Sequence, residues 1–338
     1  MKKTLIILLT LLMVFPLFSQ SFTDSIGRTV ELPDTIDRVA PSGNLSQMIL
    51  YSIAPEKISG WSIKLSTTAK GEYFLKDTAG LPVFGTFYGK KANLNKEALM
   101  SANPQVVMDM GEIKGGIDAM REDLDNLMDD IKIPVITLEA YLDNIPDVYR
   151  TLGTLLDKEE RGEELAAYAE EALSMAASAR AQITDPVTVY YSSSDDGLEA
   201  IPTGSFHGEV IEKIGARNVV PASFSTQQGS VSLEQIYLWD PDVILLSNEK
   251  AYDSVMKSKV WGLLSAVKNN RVYLVPSEPY SFIDSPPATN RIIGIYWLGN
   301  LLYPELYDVD IIDEVIEYYG LYYNYGMSEA KAKEVLGI

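Results

Sequence analysis

The sequence predicts an α/β protein of two similar lobes joined by one long α-helix, and three observations predict it. The first is an internal repeat: NPQVVMDMGE at 103–112 returns as DPDVILLSNE at 240–249, 137 residues later. In each copy a glutamate, Glu97 or Glu234, stands seven residues before the proline, Pro104 or Pro241. The second is the alternation, in both halves, of short β-branched runs with amphipathic stretches, a pattern of mostly parallel sheets covered by helices. The third is the stretch from Glu159 to Ala181, rich in Ala, Glu and Leu with one glycine and no proline, which favours helix throughout. A chain of 338 residues has room for two domains of the usual size.

The opening MKKTLIILLTLLMVFPLFSQSF places Lys2 and Lys3 before an apolar run and then small polar residues, the layout of a secretory signal. Residues 1–20 are therefore expected to direct export, with cleavage between Ser19 and Phe22. The first lobe is expected over 21–145. In it RVAPSG reads as a strand and loop, LSQMILYSIAP as a helix, KISGW as the next strand and IPVITL as a further buried strand. The connecting segment is 146–183, in which Gly153 and Gly162 are the points of interruption. The second lobe, 184–338, carries VTVYYSSS as a strand, GEVIEKIG as a helix and RVYLVPSEPY as a strand and loop. Its tyrosine-rich end, YYGLYYNYG, leads into a helix docked on that lobe.

Within each repeat the unit is helix, turn, strand. Asn95 or Asn93 caps the first helix and Ser232 the second, each proline stops its helix, and a buried strand follows. A helix that feeds a parallel strand runs antiparallel to it, so Glu97 and Glu112 share one edge of their lobe, and Glu234 and Glu249 the same edge of theirs.

Composition excludes several functions. The net charge of −19 argues against nucleic acid, whose phosphates call for clustered Lys and Arg. Cysteine is absent, which removes disulfides, thiolate metal ligands and a lipid-modified cysteine after the signal. No GxSxG, GxxxxGK[ST] or HExxH motif occurs, so hydrolase, nucleotide-binding and metalloprotease chemistry have no signature here. One histidine, His207, cannot build a multi-histidine site for bare zinc or manganese.

Candidate contacts with a ligand lie where open α/β sheets place them, beyond the strand ends. Ser42, Asn44 and Gln47 follow the first strand and either bond a ligand or cap the next helix. Trp61, Tyr88, Phe206 and Tyr280 are aromatic residues in polar loops, suited to a large flat ligand at low entropy cost. His207 sits in a glycine-rich loop before a helix and is either a ligand contact or a helix-end residue. Arg291 opens a helix after SPPATN and serves either an anionic ligand or a structural ion pair. With Lys64, Lys90 and Lys91 it supplies the only positive charge expected near these loops.

DSIGRTVELPDTIDRVA, the paired Glu-to-Pro units, NNRVYLVP and RIIGIYWLGNLLYPELY together resemble the substrate-binding proteins of ABC importers for iron–siderophores, haem and cobalamin, from Phe22 to about Tyr307. The resemblance implies two Rossmann-like lobes, a ligand cleft between them and little hinge motion. It implies a periplasmic, non-enzymatic protein that captures an iron chelate, haem or cobalamin-type ligand and delivers it to an ABC permease powered by a separate cytoplasmic ATPase. No intrinsic cofactor follows from it. It assigns permease docking to Glu97 and Glu234 and makes His207 the metal ligand only if the cargo is haem; Glu112 and Glu249 read as solvated loop acids, with cleft lining as the alternative. An oxyanion or nickel complex on the same scaffold, or an exported cofactor-handling enzyme, are the alternatives.

Overall fold

The computed structural model describes residues 19–65, 72–78, 80–89, 92–224 and 229–338. Most of the expected signal segment, and Lys90 and Lys91, lie outside the described residues. Strand β1 (Ser19–Thr23) pairs antiparallel with β2 (Thr29–Pro33), so cleavage after Gln20 would trim two residues from β1. Arg28 fixes this hairpin on the first lobe: its guanidinium pairs with Asp24 at 2.8 Å and donates to the Val135 carbonyl at 2.6 Å.

The first lobe is built on a parallel sheet of β3 (Val39–Pro41), β4 (Val106–Gly111) and β5 (Val135–Glu139) in that order. Helices α1 (Asn44–Ile53), α2 (Lys96–Ala102) and α3 (Ile117–Ile131) flank it. The strand expected at KISGW does not form. Ser59 gives both its amide and its hydroxyl to the Val39 carbonyl. Trp61 then exchanges backbone bonds with Pro82 and Phe84. Gly60 has the Phe84 ring where a Cβ would stand, so this segment is held by single bridges and packing in place of a ladder.

Helices α4 (Ile145–Leu155) and α5 (Glu159–Arg180) form the connection. The predicted long helix is α5, whose Leu165, Ala166, Ala169, Ala172, Ala176 and Ala179 are buried at helical spacing. Between the two helices the chain turns at Asp157, with φ 52°. Gly153 and Gly162 do more than interrupt: a Cβ on Gly162 would stand 2.6 Å from the Tyr149 carbonyl and 3.1 Å from the Gly153 Cα. Gly162→Ala is thus expected to destabilise the protein by about 1–3 kcal/mol despite alanine's better helix propensity. An unchanged melting temperature would show that the crossing tolerates a methyl group.

The second lobe carries β6 (Thr188–Ser192), β7 (Glu199–Ala200), α6 (Glu209–Lys213), β8 (Arg217–Asn218), β9 (Gly229–Ser230), α7 (Leu233–Trp239) and β10 (Val243–Leu246). After these come α8 (Glu249–Lys257), α9 (Ser265–Lys268), β11 (Val272–Leu274) and α10 (Asn290–Leu302). The sheet order is β11-β10-β6-β7-β9, with β8 beside β6; β10 is parallel to β6 and β11, while β7 runs antiparallel. The two repeat units fold alike. Asn95 and Ser232 each accept a hydrogen bond from a backbone N–H three residues on, at 3.1 and 3.2 Å. Asn103 and Asp240 end the two helices in the left-handed conformation.

Helices α11 (Ile311–Tyr323) and α12 (Glu329–Leu336) close the chain. The tyrosines of α11 do not rest on the second lobe alone. The Tyr323 carbonyl accepts from Tyr51 of α1 at 3.2 Å, Tyr322 donates to the Leu165 carbonyl of α5 at 3.0 Å, and Tyr319 donates to the Glu278 carbonyl. Both lobes, α5 and α11 share one continuous apolar core.

Candidate functional site

On the first lobe the exit of β3 and the middles of β4 and β5 meet at Asp109. This carboxylate is 4% exposed and accepts from the Ser42 hydroxyl, from Tyr88 at 2.7 Å and from Thr137 at 3.0 Å. Burial and the Asp109 charge push the Tyr88 phenol far above its ordinary value, so it stays a donor. The backbone places it there: Phe87 donates its N–H to the Ser42 carbonyl at 3.0 Å. Lys114 lies 4.7 Å above the Tyr88 ring.

Beside Ser42, α1 starts from Gly43 with no side-chain cap and no acid in its first turn, so its first N–H groups have no acceptor within the helix. Asn44, half-buried in that turn, has an unpartnered Oδ1. Gln47 is 1% exposed; its Oε1 accepts from Ser62 and Ile63, while its Nε2 has no partner. The Gln47 amide faces Tyr280 of the other lobe, whose phenol is pushed up to about 12 by burial, an effect the amide opposes.

The second lobe contributes the loop of Phe206 and His207 and the loop from Pro276 to Thr289. His207 is partly exposed, and its Nδ1 is bonded to Asp284, which is 1% exposed. That contact holds the imidazole above its ordinary value; burial opposes it, and Glu112 adds to it across the lobe boundary. Glu112 is half-buried and lies near His207, as in the second of its two expected readings, while Glu249 is exposed in the first turn of α8.

Arg291 corrects one expectation. It is 0% exposed, pairs with Glu209, donates to the Ala140 carbonyl at 3.0 Å and the Phe206 carbonyl at 3.3 Å, and lies 4.4 Å over the Phe206 ring. Its donors are spent within the fold, reaching the first lobe at the Ala140 carbonyl, which is the structural one of its two expected roles. Burial lowers it to about 10. The same burial raises Glu209, which also accepts from the Leu142 N–H of the first lobe at 3.2 Å. Phe206, with Tyr141 edge-on at 5.0 Å, packs at this junction.

Trp61 is a second correction. Its ring is 1% exposed among Tyr51 and Phe74, and its Nε1 donates to the Thr78 carbonyl at 2.8 Å; the apolar ring goes to the core because its one donor finds a backbone partner there. Lys64 is exposed. Ser42, Asn44, Tyr88, Phe206, His207 and Tyr280 do lie at or beside the lobe boundary. Asp109, Thr137, Glu209 and Asp284 were not anticipated. Only Asp109 left a signal, as a charge inside the apolar run VVMDM. Among the described residues no three His, Cys, Asp or Glu side chains group as a metal site, and no helix is long and apolar enough to cross a membrane. Glu97 and Glu234 are both exposed in the first turns of α2 and α7.

Comparison with known proteins agrees with this architecture. A family model described as periplasmic binding protein matches residues 88–279. An ABC transporter solute binding protein from Sulfurospirillum deleyianum superposes with a TM-score of 0.85 at 30% identity, over 94% of this chain and 99% of its own. The molybdate-binding protein MolA of Haemophilus influenzae is 24% identical over 95% of this chain and 96% of its own. The vitamin B12-binding protein of Vibrio parahaemolyticus is 25% identical over 45% of this chain and 58% of its own. With two α/β lobes around a shared boundary and a family match over more than half its length, the chain belongs to the periplasmic binding proteins, solute receptors of ABC transporters.

Proposed function

We propose that this receptor captures a compact oxyanion of the molybdate class between its lobes and passes it to an ABC permease. One observation carries the reading: the uncapped start of α1, with the free Nε2 donor of Gln47, lies on one side of the boundary, and the His207–Asp284 pair lies on the other. Helix N–H groups and an imidazolium both favour an anion. The near full-length match to a molybdate-binding protein supports it. In this reading residues 21–145 and 184–338 are the jaws, 146–183 is the spine, and residues 1–20 direct export. Glu97 and Glu234 dock on the permease, one per lobe.

A chelate or tetrapyrrole cargo is the second reading, favoured by the edge-on Tyr141–Phe206 pair beside the partly exposed His207. Calorimetric titration with molybdate, tungstate and sulfate, alongside haem, cobalamin and ferric siderophores, separates the two. Saturable one-to-one binding of molybdate or tungstate is the expected result. Binding confined to haem, cobalamin or a ferric siderophore would transfer the assignment to that class.

A further inference from the structure

The repeat helices bear a second feature beside their acids. Met100, three residues after Glu97, is 56% exposed, and Leu238, four residues after Glu234, is 80% exposed. Spacings of three and four bring each apolar side chain onto the face of its acid. Both helices also have inward apolar positions, Leu99 and Ile236, which are fully buried. On the second lobe the apolar surface continues, because Tyr237 donates to the carbonyl of Val260, itself 52% exposed. Among the described residues neither glutamate has an ion-pair partner, and Lys96, next to Glu97, is engaged with Asp130 at 2.5 Å.

We propose that Met100 and Leu238 are apolar contacts of the permease-docking face, each entering an apolar pocket beside the basic group that receives Glu97 or Glu234. The inference rests on the docking role of the two acids. One acid with one apolar side chain, presented by a similarly capped helix on each lobe, fits a partner with two equivalent surfaces. The acids speak for basic groups on that partner and against a second copy of this chain or an anionic lipid surface, both of which would set like charges together. Steering then belongs to the charges and dissociation to the buried apolar pair.

The test uses the intact protein and its permease–ATPase complex in nanodiscs, with binding followed by interferometry and molybdate affinity by calorimetry. Met100→Ser with Leu238→Ser is expected to weaken docking by about tenfold or more, mainly through faster dissociation and equally at low and high salt. Molybdate binding should be unchanged. Glu97→Ala with Glu234→Ala is expected to lose docking in a salt-dependent manner, and Met256→Ser, elsewhere on the surface, to dock normally. Wild-type docking by the serine pair, with loss in the alanine pair, overturns the apolar contacts and leaves the acids' role standing. Wild-type docking by both pairs overturns the docking role itself. Equal loss in Met256→Ser would mean general adhesion and also overturn the proposal.

Discussion

Arg291→Met is expected to cost the protein about 3–5 kcal/mol in urea unfolding, because it strands a buried carboxylate and two carbonyl acceptors, one of them on the other lobe. The guanidinium now neutralises Glu209 and donates to the carbonyls of Ala140 and Phe206. Methionine fills similar space and donates nothing. Burial already raises Glu209, and without Arg291 the carboxyl will hold its proton further upward. An acid whose folded value is raised destabilises the fold as pH climbs from its unfolded value, so the deficit should be small near pH 4 and full at neutrality. Adding Glu209→Met should recover much of the loss, since replacing both members of a buried pair is often close to neutral. A single-variant cost below about 1 kcal/mol would show that the pair does not tie the lobes. Retained molybdate binding in the double variant would confirm that Arg291 serves the fold and not the cargo.

Local chemistry made the repeat legible. Asn95 and Ser232 could be read as caps, and Pro104 and Pro241 as stops, because each acts on its own few residues. Strands β4 and β10 were legible as short apolar runs fully buried in parallel sheets. The misses concern partners far away in sequence. KISGW has strand composition, but its backbone bonds are claimed by Val39, Pro82 and Phe84. The glycines at 153 and 162 looked like breaks, and only the approach of α4 to α5 shows that they are contact points.

The site was legible to the level of loops and not of pairings. Strand-end position was enough to place Ser42, Asn44, Tyr88, Phe206, His207 and Tyr280 at or beside the lobe boundary. It could not show that Asp284, in an unremarkable SFIDSPP, reaches His207 across 77 residues, or that Arg291 is consumed by Glu209. The C-terminal tyrosines carried no function in the sequence because their work is steric and long-range: α11 sits between α1 and α5, its Tyr323 carbonyl accepting from Tyr51 of α1 and its Tyr322 hydroxyl donating to the Leu165 carbonyl of α5. That helix and the bond from Arg291 to Ala140 join the two lobes beside the groups that face their boundary.

Among those groups His207 gives the sharpest contrast, since the chain has no other imidazole. Asp284 occupies Nδ1, leaving Nε2 for a ligand. While His207 is an imidazolium, Nε2 carries a proton and donates to an oxyanion; once neutral, with Nδ1–H kept on Asp284, Nε2 is a lone pair. Its raised value extends the cationic form above the ordinary range. Its stabilising contribution is therefore complete below about pH 6.5 and disappears as pH rises through the raised value. Molybdate affinity is expected to follow the same course, falling by about tenfold or more between pH 6 and pH 9. The other charges facing the imidazole are those of Asp284, Glu112 and Arg291. His207→Gln should bind weakly at pH 6 and lose the pH dependence. A metal centre that needs the Nε2 lone pair would show the opposite slope, tighter as pH rises. The sign of one affinity-against-pH series thus decides which cargo chemistry the boundary was built for.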